Sequence, residues 1–149
     1  METKVDAILK NKDLKEIVQV QPETTVIEAL EIMEQYGVGA VLVMDGERLA
    51  GIFTERDYAR KGIIKGRKAK STPMTEVMTA NVFTVQPDEG IRDCMGKMNS
   101  NGIRHLPVID NEGIVKGVLS IRDIVTALIK EQRQHINFLE NYISGSIAG

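Results

Sequence analysis

The chain is poor in cysteine, aromatics and proline: one Cys, no Trp, three Phe, three Tyr and four Pro in 149 residues. A single cysteine, Cys94, excludes an intrachain disulfide and a cysteine-built metal cluster. Charge of one sign is lacking too. Lys and Arg total 19 against 21 Asp and Glu, a formal charge of −2, which excludes a generally basic DNA-coating protein and an acidic disordered chain. The longest apolar run, around Val41, falls far short of the ~20 residues of a membrane span. Met1-Glu2-Thr3-Lys4-Val5-Asp6 has neither the basic start nor the apolar core of a signal peptide, so a cytoplasmic protein without membrane association is expected. Catalytic signatures are absent as well. No Gly-x-Gly-x-x-Gly, phosphate-loop lysine motif or Ser/His/Asp arrangement with a plausible elbow occurs. His105 and His135 are far apart, without the spacing of a metal site. The expectation is a non-enzyme, built as one ordinary domain or two small ones sharing a core.

What is present is a repeat. Val20-Gln21-Pro22 recurs as Val85-Gln86-Pro87, Gly37-Val38 as Gly102-Ile103, and Val43-Met44-Asp45 as Val108-Ile109-Asp110. Beyond one inserted residue in Asp110-Asn111-Glu112-Gly113, Gly51-Ile52-Phe53-Thr54-Glu55-Arg56-Asp57 matches Gly117-Val118-Leu119-Ser120-Ile121-Arg122-Asp123. A register shift confined to a polar turn is how a loop insertion looks. Each copy carries the same local code. Ile17 to Val20 predicts a short strand stopped by Pro22. Val26, Ala29, Leu30 and Met33 share a helical stripe that Gly37 ends; Ile91, Cys94, Met95 and Met98 share one that Gly102 ends. Ala40 to Met44, Asp45-Gly46 and Leu49 to Phe53 predict a hairpin with a type I′ turn, and a helix follows from Thr54. The second copy repeats this pattern from Leu106 to Ser120. The expected order is strand, helix, strand, strand, helix, twice.

Neither copy buries enough alone, so the two are expected to pack sheet against sheet. The expected division is a first repeat over 5–64, a basic linker over 65–73, a second repeat over 74–130, and a C-terminal extension over 131–149. In that extension the last helix is expected to run to about Tyr142, with an apolar stripe of Leu128, Ile136, Leu139 and Ile143 for a partner chain to cover. The tail from Ser144 to Gly149 is expected to fray.

Paired βαββα units ending in Gly-Ile-Phe-Thr-Glu-Arg-Asp and Gly-Val-Leu-Ser-Ile-Arg-Asp resemble a tandem cystathionine-β-synthase (CBS) domain pair, or Bateman module. Gly102-Ile103-Arg104-His105-Leu106-Pro107-Val108-Ile109-Asp110 resembles that family's second strand. The resemblance covers about residues 5 to 130 and is strongest to stand-alone bacterial and plant-organelle pairs, which share the run Thr54 to Lys61 and a tail like Asn141-Tyr142-Ile143-Ser144-Gly145. It implies an α/β fold of two βαββα repeats packed as a pseudo-twofold pair. It also implies a regulatory adenosine nucleotide (AMP, ADP, ATP or NAD), and a homodimer joined through helices.

Thr54/Asp57 and Ser120/Asp123 each read in two ways. A carboxylate and a hydroxyl at a helix start can clamp the vicinal hydroxyls of a ribose. The same Thr-x-x-Asp and Ser-x-x-Asp spacing also caps the first helical turn by itself. Spacing alone favours the cap; the resemblance favours the clamp, because related pairs use these positions for ribose. A helix N-terminus with Arg56 or Arg122 beside it would suit a phosphate, and Gly51 and Gly117 would let a ligand approach the backbone.

The resemblance further implies that each site joins one copy's motif to the other's early strands. Thr54, Arg56 and Asp57 would meet Asn81, Val82, Phe83, Arg104 and His105. Ser120, Arg122 and Asp123 would meet Glu16, Ile17, Val18, Gly39 and Ala40. Arg104-His105 faces the first site where only Gly39-Ala40 faces the second, so the Asp57 site is expected to take the anionic nucleotide. The alternative is that Arg104 and His105 merely decorate a strand end.

The basic run from Arg56 to Lys70 is either a solvated face or a source of phosphate ligands, with Lys68 and Lys70 placed by the linker. Nucleic-acid contact is the weaker reading, since Tyr58 is its only aromatic. Cys94 is expected to be a buried small hydrophobe, and Met33, Met44, Met74, Met78, Met95 and Met98 core or linker packing. The functional expectation is a non-catalytic energy or redox sensor. The rivals are a protein-interaction module acting on a partner enzyme or thioredoxin with little ligand dependence, and a small nucleic-acid binder.

Overall fold

The computed structural model describes residues 2–12 and 16–148, with side chains through 144; Met1 of the N-terminal reading and Gly149 of the tail lie outside them. The first copy holds β1 (Gln19–Val20), α2 (Val26–Tyr36), β2 (Ala40–Asp45), β3 (Arg48–Thr54) and α3 (Glu55–Asp57), the last continued by a π-helical stretch, Tyr58–Ile63. Ahead of it lies α1 (Val5–Asn11), and between the copies α4 (Met74–Val77). The second copy holds α5 (Ile91–Asn101), β4 (His105–Ile109), β5 (Val115–Ser120) and α6 (Ile121–Ala148). This is the expected mixed α/β repeat.

Its elements form where the residues dictate. Thr25 caps α2 by accepting from the Glu28 amide, and Gly37 ends the helix at φ 64°, a left-handed conformation that costs glycine little. Gly102 ends α5 in the same way at φ 61°. In the first sheet β1 pairs parallel with β2, which pairs antiparallel with β3; β4 and β5 form the second hairpin. Both hairpins carry a register irregularity at the same place, after Val43 and after Val108. The first strand of the second copy shrinks to one parallel bridge, Val85 to Val108. The Gly46-Glu47 loop has positive φ at Gly46 alone, the pattern of a type II′ turn rather than I′. Glu47, which carries a Cβ, does not take the second positive φ that type I′ demands.

Three apolar clusters follow. The first copy packs Val20, Val26, Ala29, Met33, Val41, Val43 and Phe53 together with Met74 and Val77 of α4. The second packs Val85, Ile91, Cys94, Met98, Leu106, Val108, Leu119 and Ile124 together with Val5 and Ile8 of α1. Between them Ala40, Leu42, Met44 and Ile52 meet Val82, Val115 and Val118, sheet against sheet. The short helix ahead of each copy thus enters the other copy's core. Matching backbone bridges hold the exchange, Lys4 to Gly90 and Thr25 to Pro73.

Several details depart from expectation. Helix α1 is a new element, with Val5 and Ile8 one turn apart and both buried. The linker is not a free tether: Ala69 packs on the first core, Thr72 is buried, and their carbonyls accept from the Ile27 and Val26 amides. Helix α6 runs on to Ala148 rather than stopping near Tyr142, since no proline interrupts the i→i−4 ladder. All six singled-out methionines pack in or against a cluster.

Candidate functional site

Thr54 ends β3 and opens α3 with a reciprocal capping box. Its hydroxyl accepts from the Asp57 amide (3.2 Å), and Asp57 Oδ2 accepts from the Thr54 amide (3.0 Å). The Thr54 hydroxyl also lies 3.2 Å from that oxygen. The second copy builds the same box: the Asp123 amide donates to Ser120 Oγ (3.1 Å) and the Ser120 amide to Asp123 Oδ2 (2.9 Å). The cap reading therefore holds for both motifs. It also fixes each carboxylate at a helix start, where the backbone amides favour negative charge.

Asp57 is only 8% exposed. Its Oδ1 accepts from Thr79 Oγ1 (3.1 Å) and pairs with Lys61 Nζ (3.2 Å). Thr79 comes from the segment leading into the second copy and bridges to Ile52, so the first motif meets that segment. Asn81, Val82 and Phe83 follow two residues later. Val82 enters the inter-sheet cluster, while Asn81 and Phe83 are exposed. Arg56 Nη1 donates to the Gly102 carbonyl, and Arg56 and Arg104 line one groove of about 590 Å3 with Met95, Asn99, Ile103 and Ile121.

Around Asp123 the geometry brings a residue the sequence reading passed over. Lys12, at the end of α1, donates from Nζ to Asp123 Oδ2 (3.0 Å) and to the Val118 carbonyl (2.9 Å). Ile17 joins the inter-sheet cluster, Val18 packs on the first core, and Glu16 and Arg122 are exposed. Gly39 and Ala40 lie opposite β4: a Cβ on Gly39 would stand 3.7 Å from His105 Cε1 and 3.3 Å from Glu55 Oε1.

His105 lies beside Gly39, which also neighbours Glu55 of the first motif. It pairs with Ser120 across β4 and β5. Burial lowers its pKa below 6.5, with Asp123 opposing and Lys12 and Arg104 adding to the shift.

One correction concerns the glycines. A Cβ at Gly51 would meet the Thr79 carbonyl oxygen at 2.7 Å and Met78 Sδ at 2.8 Å, and one at Gly117 would meet Leu9 Cδ2 at 3.1 Å. The close approach that requires Gly51 is made by the chain itself. Of the residues sequence reasoning missed, Lys61 had a signal, standing four residues after Asp57 where opposite charges pair on a helix. Thr79 and Lys12 had none.

Part of the basic run is consumed internally: Arg56 on Gly102, Lys61 on Asp57, Met78 and Thr79, and Arg67 on the Lys61 carbonyl. Cys94 is fully buried, and burial, with Glu89 adding, pushes its thiol up to about 11. Among the described residues no group of three or more His, Cys, Asp or Glu could hold a metal ion, and no helix is long and apolar enough to cross a membrane.

Known proteins share this architecture. The CBS domain model matches residues 12–63 and 74–130. The chain is 44% identical over 128 residues to the mitochondrial CBS domain-containing protein CBSX3 of Arabidopsis thaliana, a match covering 83% of this chain and 62% of that protein. The solved structure of a protein with CBS domains from Burkholderia ambifaria superposes with a TM-score of 0.83 at 42% identity, covering 87% of this chain and 96% of that one. The CBS domain pair of protein MJ0100, solved in complex with 5′-methylthioadenosine and S-adenosylmethionine, superposes with a TM-score of 0.76 at 25% identity, covering 88% and 99%. With both repeats matched and the two sheets packed face to face, the chain belongs to the CBS domain family, as a pair of CBS repeats.

Proposed function

We propose that this chain is a non-catalytic regulatory module that binds an adenosine-type nucleotide between its two CBS repeats, acting as an energy or redox sensor. The observation that carries the reading is the placement of Asp57 and Asp123. Each is a buried or half-buried carboxylate at a helix start, beside the junction of the two copies. There it can accept from both vicinal hydroxyls of a ribose, with Thr54 or Ser120 adding a third contact. Adenosine ligands in the MJ0100 pair support the class.

In the first site Arg56 and Arg104, which line one groove, would meet phosphate, and Asn81, Val82 and Phe83 would complete the site beside Thr54 and Asp57. In the second, Ser120, Arg122 and Asp123 would work with Glu16, Ile17, Val18, Gly39 and Ala40. Nucleotide bound between the copies would favour one relative placement of them, and that differential affinity constitutes the signal. AMP is the proposed ligand, the cytoplasm the proposed compartment, and a homodimer the proposed assembly. A protein-interaction role is the second reading, favoured by the exposed Ile136, Phe138, Leu139, Tyr142 and Ile143 of α6.

Thermal melts separate the two readings. A module that binds AMP, ATP, NAD or S-adenosylmethionine gains stability as ligand rises above its Kd, and mass spectrometry of ligand released from purified protein names the one carried. Melts unmoved by every adenosine ligand would contradict the sensor reading.

A further inference from the structure

We propose that Lys12 selects the ligand of the Asp123 site, favouring a phosphorylated nucleotide over a neutral nucleoside or a cationic sulfonium. This rests on the nucleotide reading above and departs from the expectation that the Asp57 site is the better suited of the two to an anion. Lys12 follows α1, whose Val5 and Ile8 are packed into the second copy's core. That packing delivers the ammonium to Asp123 across 111 residues of sequence. Gly39 and Ala40 carry no charge themselves and the Glu55 carboxylate lies beside Gly39, so Lys12 is the cation held directly on the Asp123 carboxylate.

The ammonium has three donors, and two are spent, on Val118 O and Asp123 Oδ2. Ribose hydroxyls donating to Asp123 compete with Lys12 for the carboxylate. A phosphate on the same nucleotide gives the displaced ammonium an equivalent partner, and the flexible four-carbon stem lets it reach one. Bare adenosine offers no such partner, so binding it strands a cation in a half-buried site. A sulfonium adds repulsion. Lys61 does not play the same part at Asp57, because the Met78 carbonyl and Thr79 hydroxyl hold it as well.

The test uses the full chain carrying Asp57→Asn, so that calorimetry reads the Asp123 site, titrated with AMP and with adenosine. Lys12→Gln is expected to weaken AMP roughly ten- to a hundredfold, the worth of one charge-assisted contact, and to leave adenosine unchanged or bound more tightly, since no cation is then stranded. Lys12→Arg is expected to keep most of the AMP affinity. Raised salt, which needs no substitution at Lys12, should weaken AMP and not adenosine. If Lys12→Gln weakens both ligands alike, or neither, or if AMP proves insensitive to salt, Lys12 only ties α1 to the second copy and the proposal is wrong. AMP binding to the unsubstituted protein but not to the Asp57→Asn chain would overturn this proposal and leave the sensor reading standing. No binding of either ligand to the unsubstituted protein would overturn both.

Discussion

At the scale of single residues, the groups of the proposed site are held by contacts that a bound ligand would have to rearrange. An ionised carboxylate has about four acceptor positions. Asp57 fills them with the Thr54 amide and hydroxyl, the Thr79 hydroxyl and Lys61, so a ribose bound as proposed would exchange hydroxyl for hydroxyl. His105 adds a pH dependence of known sign. Burial lowers its pKa below 6.5, so between the folded value and 6.5 the unfolded chain binds more protons than the folded one. Stability therefore rises with pH through that window and is lost as pH falls below about 6.5. Urea unfolding midpoints measured from neutral pH downward should show this slope in the natural protein and a flatter one in His105→Gln. An unchanged slope would mean that His105 is freely protonated in the fold. The Thr-x-x-Asp and Ser-x-x-Asp motifs were legible in the sequence because their contacts are three residues apart. Lys12, Thr79 and the position of His105 beside Gly39 were not, because those meetings are created by packing between distant segments.

At the scale of elements, the hairpins and both left-handed glycine stops were readable from local codes. The exchange of α1 and α4 between copies was not. A buried pair such as Val5 and Ile8 shows that a helix has an apolar side, and nothing local says whose core receives it. The same limit explains Gly51, which read as room for a ligand and is room for the Thr79 carbonyl. Gly51→Ala would force a Cβ within 2.7 Å of that backbone oxygen, moving the segment that carries Thr79 to Asp57. We expect a loss of about 1–3 kcal/mol, the usual cost of overpacking, read as a lower melting temperature. Equal stability would mean that the bridge from Ile52 to Thr79 yields easily.

At the scale of the whole molecule, the helix exchange makes the two repeats one cooperative body. Met74 lies between the copies in sequence, is fully buried, and completes the first core. Met74→Ala should cost about 2–5 kcal/mol, as large-to-small core changes do. It should lower a single unfolding transition seen alike by circular dichroism and calorimetry. A variant that melts in two steps, one at the original temperature, would show that the copies are independent. The central claim is that this cooperative pair is held by an adenosine nucleotide through its two motif aspartates. It is tested most directly by isothermal titration of AMP into the natural chain and into the Asp57→Asn, Asp123→Asn double variant. The account predicts binding to the natural chain and its loss, by roughly a hundredfold or more for charged hydrogen-bond partners, in a double variant that still folds. AMP binding of equal strength to both proteins, or to neither, would contradict it.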